Sequence, residues 1–135
     1  MRRTSLVAAG VMTAWLASPP AAACTVSATG VAFGAYDTLS AVPDDGVGSV
    51  TVICHPSVHT PLVQLDAGLS GSFAPRQMRN GAATLDYNLY SDPTRTMVWG
   101  KGFGGSLPLT LSGGIVNAGR RTFDQPIYGR IPARQ

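Results

Sequence analysis

The side chains able to do acid–base, metal or thiol chemistry in this chain are few. There are two histidines, seven aspartates, two cysteines and one lysine, and no glutamate. His55 and His59 stand four apart, the spacing of two metal ligands on one helix face. Pro56 and Pro61 oppose a helix there, and no carboxylate follows until Asp66. These two are expected to be loop histidines. A catalytic triad would have to use one of them, and no G-x-S-x-G elbow is present. The run Gly100-Lys101-Gly102-Phe103-Gly104-Gly105 spells G-x-G-x-x-G. A dinucleotide loop works because a helix follows it and holds the pyrophosphate at its N-terminus. Here Ser106-Leu107-Pro108-Leu109 follows, a strand pattern, so a tight turn is expected.

The carboxylates are Asp37, Asp44, Asp45, Asp66, Asp86, Asp92 and Asp124. A glycosidase needs two of them facing each other across a substrate. Most lie near turn signals, where Asp bonds its own backbone, and turn and surface roles are expected. Arg120-Arg121 reads as a solvated pair, with an acidic partner as the alternative. Trp99 reads as core or rim, with carbohydrate stacking as the alternative. No catalytic, cofactor-binding or metal residue emerges.

Cys24 and Cys54 raise the question of compartment. Before Cys24 stand a positive start (Arg2, Arg3), a short apolar run (Leu6 to Leu16), Pro19-Pro20, and Ala21-Ala22-Ala23. That is the layout of a secretory signal, read as residues 1–23. The apolar run is shorter than the roughly 20 residues of a bilayer span. Nothing later is long and apolar enough for one. Arg2-Arg3 also allows twin-arginine export, although only the pair itself matches. In an exported chain an even cysteine count suggests a disulfide. It would close a loop of roughly 30 residues and add on the order of 3–4 kcal/mol. The alternative is acylation of Cys24, for which Ala21 occupies the place where a lipobox favours Leu. That would leave Cys54 free.

The elements that must position these residues follow from composition and period. Without Arg2 and Arg3, eight basic residues face seven Asp, so the exported part is nearly neutral. A nucleic-acid partner would want a clustered basic face. Lack of Glu and a single Lys101, with abundant Gly, Pro, Ser, Thr and Val, favour strands and turns over helices.

Apolar residues alternate with period two. Cys24, Val26 and Ala28 share a parity, which flips to Val31 and Phe33 after Gly30, predicting a bulge there. A loop is expected over Ala41 to Gly48, then an inward row of Val50, Val52 and Cys54. Further strands are expected near Pro61 to Ala67, Ala83 to Tyr90 (Leu85, Tyr87 and Leu89 inward), Thr96 to Trp99, Leu107 to Leu111, and Phe123 to Ile131. Gly68 to Gly81 and Gly113 to Gly119 read as a loop and a turn. About seven short strands and no helix make an antiparallel β-sandwich.

The pieces Cys24-Thr25-Val26-Ser27, Val31 to Asp37, Gly48 to Cys54, Val63 to Gly68 and Arg76-Gln77-Met78 then fall into an order. They continue with Leu85 to Tyr90, Val98-Trp99-Gly100 and Ile127 to Pro132. In this order they resemble the spore coat protein U domain family, which also supplies subunits of archaic chaperone–usher pili of the Csu type. The resemblance covers nearly all of residues 24–135. It implies an incomplete immunoglobulin-like antiparallel β-sandwich with Cys24 bonded to Cys54. It also implies a non-enzymatic structural subunit of a bacterial surface fibre or spore coat, assembled by β-strand complementation. The implied partners are a periplasmic chaperone, an outer-membrane usher and other pilus or coat subunits. The implied location is the periplasm and then the cell surface. An adhesive tip or carbohydrate-binding module is the alternative.

Two departures from the family pattern are expected to matter. A fibre subunit carries an alternating apolar donor segment before its first cysteine. Here the predicted signal leaves no room for one, so the chain is expected to accept a strand without passing one on. Family members also continue beyond the Gly129-Arg130-Ile131-Pro132 motif, so a second strand is expected to be lacking.

Overall fold

A computed structural model describes residues 24–135. The predicted signal lies outside the described residues. Eight strands occur among the described residues: β1 (Thr25–Thr29), β2 (Asp44–Cys54), β3 (Leu62–Val63), β4 (Arg76–Asn80), β5 (Ala83–Tyr90), β6 (Leu109–Thr110), β7 (Ile115–Asn117) and β8 (Arg120–Ile131). The one helical piece among the described residues is a 3-10 turn, Gly68–Ser70. The large sheet runs in the order β1-β2-β8-β5-β4, with β7 also pairing β8. Antiparallel β3 and β6 form a second, much smaller sheet. The protein is thus an all-β, incomplete antiparallel sandwich: one broad layer and one short one.

The spine is the β2–β8 pair, antiparallel from Asp44↔Ile131 to Cys54↔Arg121. Successive side chains of a strand point to opposite faces. On β2 the row Gly46, Gly48, Val50, Val52 and Cys54 is buried, and on β8 so are Phe123, Ile127, Gly129 and Ile131. Trp99, Leu109 and Leu111 close the core from the short layer, with Val63, Leu65 and Leu89 at its border. Each fully buried aliphatic or aromatic side chain contributes about 1.5–3 kcal/mol. The Trp99 indole N–H donates to the Val63 carbonyl at 3.0 Å, so the one polar atom of the ring is satisfied inside.

Several expectations change. The parity flip at Gly30 is not a bulge within a strand. β1 ends at Thr29, and the chain crosses the sheet as a strap. Gly46 and Gly129 are register partners beneath that strap. A Cβ on Gly129 would lie 2.5 Å from the Phe33 ring and 2.7 Å from Val31. Such a contact has no room, so glycine here makes space for the strap. The loop expected over Ala41 to Gly48 is shorter, because β2 already begins at Asp44.

The Gly68 to Gly81 loop contains β4, whose hairpin with β5 turns at Gly81, where φ is 61°. Asn80 pairs with Ala83, so the two-residue loop is Gly81-Ala82, with glycine at the first central position where a positive φ is needed. The Gly113 to Gly119 turn likewise contains β7. Its hairpin to β8 turns on Ala118 and Gly119, both at positive φ. Three expected strands shrink. Pro61 to Ala67 is a strand only at β3, Leu107 to Leu111 only at β6, and Thr96 to Trp99 survives as bridges at Val98 and Trp99. Main-chain bonds from Leu65 N–H to the Gly100 carbonyl and from Trp99 N–H to the Leu89 carbonyl still tie these segments together.

Candidate assembly surface

The residues singled out for chemistry are dispersed. His55 Nδ1 lies 2.8 Å from the Ser57 hydroxyl in an exposed turn, and His59 is exposed. No group of three or more metal-ligating side chains occurs among the described residues. The Gly100–Gly105 run is a turn folded on the Ser106 hydroxyl, which donates to the Phe103 carbonyl at 2.7 Å and accepts from Lys101 N–H at 3.2 Å. Trp99 is 6% exposed, which removes it as a sugar-stacking platform. Arg121 is not a free cation. Its guanidinium donates to the Pro56 carbonyl at 3.0 Å and the Gly114 carbonyl at 2.9 Å.

The aspartates hold structure. Asp45 takes both arms of Arg130, at 2.7 and 2.8 Å, with Arg95 at 3.3 Å. The Arg130 hydrogen bond lowers the Asp45 pKa, and Asp45 in turn raises that of Arg130. Lys101 bonds Asp66 at 2.6 Å and lowers its pKa. Asp92 gathers the Thr94 and Thr96 hydroxyls and the Thr96 and Met97 N–H groups in a side-chain-closed turn. Those bonds, the one from Thr94 foremost, hold its carboxyl well below the usual range. Asp124 accepts from the Thr51 hydroxyl at 2.6 Å, and Asp37 caps Leu39 N–H at 2.9 Å.

The least exposed cation is not legible from local pattern. Arg76, expected in a loop, is 1% exposed. Its Nη2 donates to the Trp99 carbonyl at 2.6 Å and, with Nε, to the Asp66 carbonyl at 3.2 Å each. Nη1 donates to Asn88 Oδ1 at 2.7 Å, and the guanidinium lies 5.0 Å from the centre of the Phe73 ring. Asn88, itself buried, donates onward to the Phe73 carbonyl at 2.6 Å. No carboxylate bonds this guanidinium among the described residues; burial lowers its pKa and carbonyl dipoles hold the charge. One planar fork thus pins the Asp66 loop, the Phe73 loop, β5 and the Trp99 segment together. The arrangement is a strut with no room for substrate.

What remains unsatisfied is a surface. Cys24 and Cys54 form a disulfide with Cα atoms 4.2 Å apart. The bridge clasps β1 to β2, with which β1 pairs from Thr25↔Ile53 to Thr29↔Ser49. Directly opposed residues share a face, so Val26 stands on the core side beside Val52 and Ala28 beside Val50. Val52 is 1% and Val50 2% exposed, yet Val26 is 58% exposed and Ala28 is exposed too. The parity expected for β1 is right, but nothing among the described residues covers it. Leu62 of β3 is 55% exposed as well, and β3 and β6 pair only with each other among the described residues. The short layer stops before the broad one does.

The model for the Spore Coat Protein U domain matches residues 11–135. The chain belongs to this family of surface coat and pilus-type proteins. It is similar to Protein U of Myxococcus xanthus, with 37% identity over 116 residues, covering 76% of this chain and 60% of that protein. The chain therefore spans about 60% of the length of the curated relative it matches. No solved structure matches it significantly. Among the described residues no helix is long and apolar enough to cross a membrane.

Proposed function

We propose that this protein is a non-enzymatic structural subunit of a bacterial surface coat or fibre, and that a β-strand from another chain completes its sandwich. One observation carries the reading. The core-facing row of β1 is exposed at Val26 while its cross-strand partner Val52 is buried. A strand laid over β1, alongside the open edge of the short layer, would bury Val26, Ala28 and Leu62. It would also satisfy N–H and C=O groups at the open edge of the short layer, which is the chemistry of β-augmentation. In this reading residues 1–23 are a signal that exports the chain. The disulfide forms in the oxidising periplasm. A periplasmic chaperone lends the first strand, and an outer-membrane usher hands the subunit to its neighbours.

The test is thermal unfolding of the exported, oxidised protein with a peptide of alternating apolar residues copied from a chaperone or subunit donor strand. A saturable rise in Tm is expected. No rise at millimolar peptide would overturn the proposal. The alternative of a carbohydrate-binding tip loses Trp99 as a stacking platform, although Phe103 is exposed.

A further inference from the structure

The outer edge of β1 carries a second pattern that strand acceptance over its inner face does not use. The 4.2 Å Cα separation of Cys24 and Cys54 marks that opposed pair as the close, non-hydrogen-bonded kind. The alternation then fixes the rest of β1. Thr25, Ser27 and Thr29 turn their main-chain groups toward β2, and Val26 and Ala28 turn theirs outward. Ser49 N–H, bonded to the Thr29 hydroxyl at 2.9 Å, points the same way. The free edge thus presents the N–H and C=O of Val26 and of Ala28, in a five-residue strand that is exposed throughout. It has none of the usual guards against pairing: no charge, no proline and no covering loop among the described residues.

The sequence of the strand is also nearly symmetric about its centre. Thr25-Val26-Ser27-Ala28-Thr29 reads hydroxyl, apolar, hydroxyl, apolar, hydroxyl in both directions. We propose that β1 pairs with β1 of a second copy of this chain, antiparallel, across a two-fold axis at Ser27. This register sets Val26 opposite Ala28 of the partner, and the four outward main-chain groups on each copy meet as two doubly hydrogen-bonded pairs. Ser27 faces its own copy as a close pair, and Thr25 faces Thr29. Every opposed pair on the outer face is hydroxyl on hydroxyl, and each apolar residue meets an apolar one, as a self-complementary two-fold interface requires. Any other register in steps of two leaves hydroxyl rows unmatched at the ends. A one-residue slip sets apolar residues against hydroxyls. The Thr29–Ser49 hydroxyl pair, at 2.9 Å, continues the same row inward onto β2. Five residues per copy bury less than the roughly 1,000 Å² of a permanent interface, so the contact is weak alone and gains strength by repetition in a coat.

The experiment uses charge exchange at the axis. Ser27→Lys and Ser27→Glu each place a like charge against itself in the homodimer, on an exposed side chain that the fold does not need. Sedimentation equilibrium of the full oxidised protein should show concentration-dependent dimers. Either variant alone should weaken self-association at least tenfold, and an equimolar mixture of the two should restore it. Ser27→Thr should associate like the parent. A monomeric parent at millimolar concentration, or variants that associate unchanged, would overturn the proposal. So would a mixture that associates no better than its parts. Because the donor peptide acts on the inner face, Ser27→Lys should keep the peptide-induced rise in Tm, so failure of one reading does not mask failure of the other.

Discussion

Replacing Arg76 tests whether the sandwich is held by its polar strut as well as by its apolar core. Arg76→Met keeps the length and most of the volume of the stem and removes every donor. Two opposing effects follow. The protein no longer desolvates a charge, which favours the variant; buried ions exchanged for apolar residues are often neutral or stabilising. Against this, three acceptors lose their donor: the Asp66 and Trp99 carbonyls and one bond of Asn88 Oδ1. A buried acceptor left unsatisfied costs about 1–3 kcal/mol. Oδ1 of Asn88 keeps the N–H of Leu89 at 3.0 Å, so its loss is the smallest. The Trp99 carbonyl, reached by a buried bond, dominates, and its loss together with that of the half-buried Asp66 carbonyl outweighs the recovered desolvation. The net expectation is about 3 kcal/mol of destabilisation for Met, and more for Ala, which also forfeits the stem's packing. For a domain of this size about 1 kcal/mol moves Tm by roughly 4–8 °C, so a drop of more than about 10 °C is expected for Met in the oxidised protein. Urea unfolding followed by Trp99 fluorescence should show the same loss at unchanged m. A Met variant within about 1 kcal/mol of the parent would refute the strut. It would mean that the carbonyls find water, or that the guanidinium's desolvation cancels its bonds.

Two further outcomes follow from named contacts. Gly129→Ala should cost about 1–3 kcal/mol and raise amide exchange in residues 31–34, because the new Cβ collides with Phe33 and Val31; a neutral effect on urea stability would mean the strap can lift freely. The Asp45–Arg130–Arg95 cluster should make stability fall with acid. The folded pKa of Asp45 lies below its ordinary 3.8, so its contribution is complete above that value and is lost as pH falls through the lowered one. The gap in stability between the parent and Asp45→Asn should therefore be widest near neutrality and close below about pH 4; a gap independent of pH would exclude the ion pair as its source.

Much of this architecture is legible in the sequence. The alternation of Val50, Val52 and Cys54, and the run from Phe123 to Ile131, mark the two strands that make the spine. Period two fixes a side chain's face through backbone geometry alone. The β4–β5 and β7–β8 hairpins are less legible, because Gly68 to Gly81 and Gly113 to Gly119 read only as a loop and a turn. Trp99 as core or rim and the aspartates as turn and surface residues also follow from residue type.

Tertiary structure decided what local pattern cannot encode. Arg76 has the composition of a surface residue, and only the convergence of the Asp66 and Trp99 carbonyls with Asn88 makes burial tolerable. Those three partners lie far apart in the chain. The glycines at 46 and 129 look like ordinary strand interruptions until the strap of Val31 and Phe33 is seen lying across them. For Val26 and Ala28, alternation says truly that they face the core side of the sheet. Whether anything lies over them depends on how far the second layer extends, and that is set by pairing between distant segments, not by the strand's own residues.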